Sequence, residues 1–352
     1  MKTPWELLKE SKTKIKTAWR IAFVSALVLG LLIHLPVMLS DIPNHDGLSS
    51  MYFDQNMITS GRWFLTVACG FSSYFTIPWV IGLIGLIWLA LTAAVLTEVL
   101  ELTDPVTITV VSGLLVSFPA LASTFAYVFT MDGYMLALFL AVLAVLFTAK
   151  YPRGYLAGAV CLAFSMGIYQ AYLPFTILLC VYKILLYFME EKGWKEKAKY
   201  VCHYLGMGIA GGVLYYVILQ ILLKLQGKVL DTYQGINSME QMGSGMGILA
   251  TIKGMYVDFL AFTVHGNVLV NNIFSLAACI ILVATVVFLV IRSMIWRKWW
   301  KNPAFFVIMI LLGISMPLLT NVILLISPNL TYHLLMRYQW VLYLILMTAF
   351  AD

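Results

Sequence analysis

Long apolar runs separated by short polar stretches make up most of this chain. About 20 apolar residues in a helix cross about 30 Å of hydrocarbon. Windows of that length predict about ten spans, at 21–39, 77–100, 106–125, 133–149, 154–169, 173–188, 202–223, 273–291, 304–325 and from about 338. The runs are continuous and do not alternate every second residue, so we predict spanning helices rather than barrel strands. The pattern is typical of an all-α polytopic integral membrane protein.

Composition supports the membrane assignment and excludes other classes. Of the residues, 62% are hydrophobic and 11% charged, against about 25% charged in soluble domains. The five cysteines form no C-x-x-C pair, so no zinc site or disulfide framework is indicated. The net charge of +6 does not indicate a nucleic-acid partner, because Lys and Arg mark the cytoplasmic loops of membrane proteins. No P-loop, dinucleotide or G-x-S-x-G motif occurs.

The distribution of basic residues predicts the orientation. With the N-terminus inside, 17 of the 22 Lys and Arg residues lie on the cytoplasmic side, leaving Arg62, Lys224, Lys228, Lys253 and Arg337 outside. The positive-inside rule therefore places the N-terminus in the cytoplasm.

The chain reads as a single membrane domain over 1–352, with a retained basic leader at 1–20 and no soluble domain or flexible linker. The last run holds only about 13 apolar residues before Asp352, fewer than a span needs. We therefore expect the last span to be truncated, so that either the natural chain continues or this chain is an excerpt of a longer protein.

Polar chemistry concentrates on the predicted outer face, first of all in the loop at 40–76. This loop carries Asp41, Asp46, Asp54, His45 and Arg62, and ionisable groups near membrane depth favour a functional interpretation. Each of the three aspartates also has a purely structural interpretation. Asp46 precedes a glycine and could form a turn, Asp41 could end the first span, and Asp54 could face water.

Asp132, Arg337 and Arg62 carry the same ambiguity. Asp132 sits between two apolar runs with almost no loop around it, so it is either functional or part of an interfacial Asp-Gly turn. Arg337 and Arg62 could bind a phosphate in bidentate fashion or could snorkel to the interface. His34 and Pro36, inside the first span, indicate packing and a kink.

Two segments of the outer loops are too short to span and have the character of interfacial helices. They are the aromatic stretch WFLTVACGFSSYF, after Arg62, and the stretch 246–263. A polar loop between flat helices predicts a cleft at the boundary of water and lipid, suited to an amphipathic substrate.

Four motifs then occur in order along the chain: Asn44-x-Asp46-Gly47-Leu48, Ser60-Gly61-Arg62-Trp63-Phe64, Asp132-x-Tyr134-Met135-Leu136-Ala137 and Gly167-Ile168-Tyr169-Gln170-Ala171. Together they resemble the type II Gtr family of bacterial glucosyltransferases, which is similar to the GT-C glycosyltransferase superfamily and is known for adding glucose to O-antigen. The resemblance covers nearly the whole chain.

The resemblance implies a GT-C-like fold in the bacterial plasma membrane. It also implies a sugar donor, glucose on polyprenyl phosphate, delivered from the outer leaflet, and a glycan acceptor outside, either O-antigen or cell-wall polysaccharide. The family's catalytic aspartate in the first outer loop maps to Asp46 or, as the alternative, Asp41. Its C-terminal arginine matches Arg337 in HLLMRYQ, which thereby inherits a role at the donor phosphate. Arg62 could act beside it, because a guanidinium can bind a phosphate in bidentate fashion. The superfamily also implies inversion at the anomeric carbon.

The remaining roles combine the motifs with chemistry. Asp132 could orient sugar hydroxyls, bind the acceptor, or hold a divalent cation together with Asp46. Tyr169 and Gln170 suit carbohydrate, because aromatic faces and amides contact sugars, although packing explains them equally well. Asn44 and Tyr134, from the same motifs, complete the predicted sugar or acceptor contacts.

Three other classes compete with a transferase. A transporter or flippase of lipid-linked sugar should carry ionisable residues near the midplane and broken helices in matched halves, whereas the acids here lie mostly at one face. A polysaccharide polymerase would share the topology. A purely structural scaffold would leave the acidic outer loop unexplained.

Overall fold

The structure is a computed structural model. It describes residues 15–40, 58–70, 72, 77–231, 245–265, 271–296, 298, 301, 303–327 and 330–352, together with residues 3, 5 and 6 near the N-terminus. The regular elements within these ranges are helical.

In chain order the α-helices are α1 (Thr17–Leu39), α2 (Leu65–Ala68), α3 (Pro78–Leu100), α4 (Pro105–Ser117), α5 (Pro119–Phe125), α6 (Met131–Lys150), α7 (Gly154–Ile168), α8 (Leu173–Met189), α9 (Trp194–Gln226), α10 (Gly245–Leu260), α11 (Ile273–Trp296), α12 (Pro303–Thr320), α13 (Ile323–Ile326) and α14 (Val341–Ala351). Two 3₁₀ helices, Gln170–Tyr172 and Leu334–Trp340, precede α8 and α14, and a π-helical turn, Ala261–His265, continues α10.

Each of the ten predicted spans coincides with helix, which confirms the all-α polytopic architecture. Among the described residues, seven helices are long and apolar enough to cross a membrane, and the bent pair α4–α5 makes an eighth. Gly154–Ile168 and Phe306–Thr320 are apolar but shorter, so the described residues supply seven or eight candidate spans where ten were predicted. The last candidate span begins at Leu334, before the predicted start near 338, because a 3₁₀ helix runs directly into α14.

The helices α4, α1, α3, α6, α7 and α9 follow one another as packed neighbours, and the segment Leu334–Ala351 packs against α4, α5 and α8. At the centre, α6 is the most buried of the candidate spans. Helix α11 packs against α14, but none of its described side chains is buried and most are exposed, as in helices that turn apolar surface toward lipid.

Helix starts follow local rules. Proline occupies the first turn of α3, α4, α5 and α8, where its missing N–H removes no hydrogen bond. Asp104 caps α4 by accepting a 2.8 Å hydrogen bond from the backbone N–H of Thr107.

The third predicted span is broken at Pro119, where α4 and α5 meet at a bend of 51°. Proline has no N–H to donate to the carbonyl of Leu115, four residues earlier. The Tyr338 hydroxyl donates to that carbonyl oxygen, and Nε2 of His34 lies 2.8 Å from the next one, Val116 O. The His34 ring also stacks on Phe125 with centroids 3.9 Å apart, which confirms that His34 is a packed residue.

The two ends of the bundle differ in chemistry. At one end Glu98 accepts hydrogen bonds from Lys16 at 2.5 Å, Lys150 at 3.0 Å and the indole of Trp19 at 2.8 Å. Near it, Lys183 pairs with Glu101 at 2.5 Å. The residues predicted to be cytoplasmic therefore meet at one end, which is opposite the end of α6 that carries Asp132.

The two predicted interfacial segments differ in length. The 246–263 prediction is confirmed as helix, α10 and its π-helical continuation. Within the described part of the aromatic stretch, α2 is a single turn, and Leu65 and Cys69 are buried. A side chain at Gly133 of α6 would come within 2.9 Å of the Cys69 sulfur, so this turn is packed onto the bundle.

Candidate active site

The second and fourth sequence motifs are joined backbone to backbone. The N–H of Phe64 donates a 2.7 Å hydrogen bond to the carbonyl oxygen of Gly167. The indole of Trp63 lies directly over Gly167, so closely that a Cβ there would sit 2.6 Å from a ring carbon. The absence of a side chain at Gly167 therefore lets the segment after α1 dock on the end of α7.

Gly61 is the tightest point of this junction. Its φ is +76°, and an added Cβ would lie 2.6 Å from the Tyr215 hydroxyl and 2.7 Å from Nε2 of Gln170. The Tyr215 hydroxyl donates to Gly61 O at 2.9 Å, and Gln170 Nε2 donates to that hydroxyl at 3.0 Å. Both the left-handed backbone and the crowding require glycine here.

Arg62 extends from this junction toward two stacked tyrosines. Its Nη1 donates to the Tyr134 hydroxyl at 3.2 Å. The rings of Tyr134 and Tyr169 stack with centroids 4.1 Å apart, and the guanidinium carbon lies 5.8 Å from the Tyr169 centroid. A half-buried cation beside aromatic faces is the type of surface that anionic and carbohydrate groups contact.

Asp132 lies in the first turn of α6 with 4% of its surface exposed. Its Oδ1 accepts hydrogen bonds from the Ser72 hydroxyl at 2.6 Å and from the backbone N–H of Gly133 at 2.9 Å. A carboxylate also suits the positive end of the helix dipole. Asp132 and Gly133 are helical, so the predicted Asp-Gly turn is not what the structure shows.

Three predicted site residues, Asp41, Asn44 and Asp46, lie outside the described residues, in the stretch between Ser40 and Ile58. Their assignment as catalytic or sugar-binding residues stays a prediction. The junction at Gly61 follows this stretch directly, so the described site borders the predicted catalytic loop.

Arg337 belongs to a second cluster and is fully engaged. Its Nη1 and Nη2 each donate to one oxygen of Asp258 at 2.7 Å. Its Nε donates to the carbonyl of Tyr332 at 3.3 Å. The rings of Tyr332, Phe262 and Trp340 lie 3.9, 4.6 and 5.5 Å from the guanidinium carbon. Arg337 is thus buried in an aromatic box rather than extended toward an interface.

Two amides support the second cluster. Asn321 Nδ2 donates to Asp258 at 3.2 Å and to Met255 O at 2.8 Å. Gln339 Nε2 donates to the Tyr332 hydroxyl at 2.6 Å and to Thr320 O at 2.9 Å. Burial raises the pKa of the Tyr332 phenol, so this ring is neutral at physiological pH.

Aromatic contacts run from one cluster to the other. Tyr169, which stacks on Tyr134, meets Tyr172 edge-on with centroids 5.4 Å apart, and Tyr172 meets Tyr338 at 6.3 Å. Tyr338 follows Arg337 in the chain. The two cationic clusters therefore share one end of the bundle and one packed layer.

The family comparison gives this geometry its context. The family sequence model described as Glucosyl transferase GtrII matches residues 35–350. The chain belongs to this family. The match confirms the resemblance inferred from the motifs and includes both clusters. None of the curated proteins and none of the solved structures matches the chain.

Membership of the GtrII family identifies a membrane glucosyltransferase-type protein, which handles a sugar donor and a glycan acceptor. Within the part of the chain that the structure describes, no group of three or more His, Cys, Asp and Glu residues could hold a metal ion. A divalent cation held by Asp132 and Asp46 stays open, because Asp46 is outside that part.

Sequence reasoning missed three residues that organise this GtrII site. Ser72 donates a hydrogen bond to Asp132, Tyr215 donates one to the carbonyl of Gly61, and Asp258 forms an ion pair with Arg337. Ser72 and Tyr215 had no signal in the sequence. Asp258 lies in the stretch 246–263, which was predicted to face outward, and a carboxylate within an apolar helix was its one sign of a partner.

Proposed function

We propose that this GtrII protein transfers glucose from a polyprenyl-phosphate carrier to a glycan outside the cytoplasm. The observation that supports this best is the convergence of three family motifs, which brings Arg62, Asp132, Tyr134 and Tyr169 to one end of the bundle. A carboxylate, a cation and aromatic faces are the groups that glycosyl transfer from a lipid phosphate needs.

In the proposed reaction the bond between the glucose C1 and the phosphate oxygen breaks, and a bond from C1 to the acceptor oxygen forms. Asp46 takes the proton of the acceptor hydroxyl, with Asp41 as the alternative base. A positioned base contributes about 10²–10⁴-fold to such a step. Direct displacement inverts the anomeric configuration.

The electron pair of the broken bond stays on the lipid phosphate, which gains negative charge. Arg337 and Arg62 are the proposed cations at this phosphate, and a preorganised donor of this kind contributes a few kcal/mol, roughly 3, to the transition state. The box of three rings around Arg337 supports such preorganisation because it fixes the plane of the guanidinium.

Asp132 is the proposed group that orients the sugar hydroxyls or the acceptor, alone or through a divalent cation shared with Asp46. Tyr134, Tyr169 and Asn44 are proposed as sugar contacts. The amide nitrogen of Gln170 already bonds Tyr215 and Ser60, so Gln170 would reach sugar through its carbonyl oxygen.

The proposed setting is the bacterial plasma membrane, with a cytoplasmic N-terminus and the active site on the outer face. The gathering of Lys16, Lys150 and Lys183 at the end opposite the site supports this orientation. We also propose one membrane domain over 1–352, since one apolar core runs from Ala22 to Ala349.

The test is transfer of radiolabelled glucose from polyprenyl phosphate to acceptor glycan, with the purified protein in lipid vesicles. We expect a labelled glycan whose formation requires both substrates. Movement of the labelled lipid across the bilayer with no glycan formed would overturn the proposal in favour of a flippase. Parallel reactions with EDTA and with added Mg²⁺ decide whether a divalent cation takes part.

A further inference from the structure

The anion-binding fork of Arg337 is filled by a carboxylate of the same chain. We propose that Asp258 is a positioning residue that occupies the fork until the phosphate of the lipid-linked donor takes its place. This inference rests on the proposed function, in which Arg337 receives that phosphate.

Asp258 contacts Arg337 in the same bidentate geometry that a phosphate would adopt in its place. Two oxygens of Asp258 accept from two nitrogens of Arg337 at 2.7 Å each. Arginine binds phosphate with the same parallel pair of hydrogen bonds. Phosphate and the Asp258 carboxylate would therefore compete for the same two N–H groups.

The two partners are held unequally. The Arg337 side chain is 10% exposed and the Asp258 side chain is 26% exposed. Arg337 keeps its hydrogen bond to Tyr332 O and its three aromatic neighbours when the carboxylate leaves. Asp258 has one further side-chain donor in the cluster, Asn321 at 3.2 Å. Movement of the carboxylate can thus open the fork while the guanidinium stays in place.

The charges explain why such a placeholder is useful. A buried guanidinium without an anion is costly, so Asp258 neutralises it while no donor is bound. After transfer the lipid phosphate carries more negative charge than the donor did and would leave slowly. A carboxylate that returns to the fork shifts that equilibrium toward product release.

The direction in which the affinity for lipid phosphate changes when Asp258 loses its charge separates the proposed exchange from a purely structural role. Asp258→Asn keeps the shape of the side chain and removes its charge, so Arg337 gains a net attraction for external anions. We expect the affinity for a lipid phosphate to rise by about 5- to 10-fold, the order of one partly buried ion pair. In turnover the donor KM should fall, and kcat should fall with it, because product release slows.

The experiment measures binding of a short-chain polyprenyl phosphate to the purified protein in detergent, with the uncharged polyprenol and inorganic phosphate as parallel probes. We expect Asp258→Asn to bind the lipid phosphate more tightly than the wild type. Asp258→Glu should restore near-wild-type affinity. Arg337→Gln should abolish the difference in affinity between polyprenyl phosphate and the uncharged polyprenol. Glu98→Gln, which removes an ion-paired carboxylate at the opposite end of the bundle, should change nothing.

Each outcome decides something. Equal or weaker binding by a folded Asp258→Asn protein overturns the exchange and leaves the proposed function standing. Lipid phosphate binding that does not depend on Arg337 in any variant removes the phosphate role of Arg337 as well. Equal gains for inorganic phosphate would assign the fork to a free anion instead of a lipid headgroup. If Asp258→Asn does not fold, Asn321→Ala, which loosens Asp258, makes the same comparison with an expected gain of about twofold.

Discussion

The hydroxyl of Ser72 donates a 2.6 Å hydrogen bond to Oδ1 of Asp132 across 60 residues of sequence. The backbone N–H of Gly133 donates to the same oxygen at 2.9 Å. These bonds fix one carboxylate oxygen and leave the carboxylate with a defined direction. A buried acid held in this way is suited to orient a substrate hydroxyl.

Asp132→Asn should leave the fold intact and reduce glucosyl transfer by about 10²-fold or more. The amide oxygen can accept the same two hydrogen bonds, but it carries no charge for the substrate. The measurement is the initial rate of transfer alongside the thermal unfolding temperature. Ser72→Ala is the matched variant. It keeps the charge and loses one hydrogen bond, so the rate should fall only about 5-fold. Wild-type rates in Asp132→Asn would assign Asp132 a structural role.

Asp46→Asn should abolish transfer while the protein still inserts and folds, because the amide cannot take the acceptor proton. The assay is the same, with insertion checked by protease protection. Asp54→Asn is the control from the same loop, and its rate should stay within about twofold of wild type. If Asp41→Asn is inactive and Asp46→Asn is not, the base is Asp41.

Gly61→Ala should destabilise the protein and displace Arg62. It adds both left-handed strain and a clash with Tyr215 and Gln170. Gly227 also has a positive φ, +61°, but nothing lies within 4 Å of its missing Cβ. Gly227→Ala therefore costs about 1 kcal/mol of strain alone, and Gly61→Ala should cost about 2–4 kcal/mol in all. Chemical unfolding curves provide the comparison. Equal losses of unfolding free energy in the two variants would show that Tyr215 and Gln170 move aside to accommodate the added methyl group.

Arg337→Lys should raise the donor KM and lower kcat/KM by about 10-fold or more, because an ammonium cannot form two parallel hydrogen bonds to one phosphate. Steady-state kinetics with varied donor measure both parameters. Arg153→Lys, at an exposed position of the opposite end, is the control and should behave as wild type. Unchanged kinetics in Arg337→Lys would rule out the bidentate contact.

The proposed orientation predicts which ends of the helices are reached by reagents from outside the cell. Trp194, 76% exposed, begins α9, and Val229, 81% exposed, lies three residues beyond its other end. In a cysteine-free background, a membrane-impermeant maleimide should label Val229→Cys in intact cells and Trp194→Cys only after lysis. The reverse labelling pattern would place the site in the cytoplasm and contradict the proposed donor delivery.

The helices were predictable because their signal is local. The run at 77–100 became α3, Pro78–Leu100, and the run at 173–188 became α8, Leu173–Met189. The largest error in length was α9, predicted at 202–223 and observed at Trp194–Gln226. Lys195, Lys197 and Lys199 lower the hydropathy of its first turns, but charged residues continue a helix beyond its apolar part without penalty.

The site was predictable only residue by residue. Arg62, Tyr134, Tyr169 and Gln170 were each expected at a substrate site, and the structure brings them into one junction. Their supports could not be foreseen, since Tyr215 and Gly61 are 154 residues apart and Asp258 and Arg337 are 79 residues apart. Contacts over such separations depend on helix packing, which no local pattern records.

The bend at Pro119 also decides how the beginning and the end of the chain are tied together. It frees two carbonyls in mid-span, and the groups that satisfy them come from α1, through His34, and from the segment that carries Arg337, through Tyr338. A residue with better helix propensity at this position would let the helix straighten and close its own ladder. Both side chains would then lose their acceptors, so an apparent improvement to one helix would remove a hydrogen bond that ties the segment carrying Arg337 to α4.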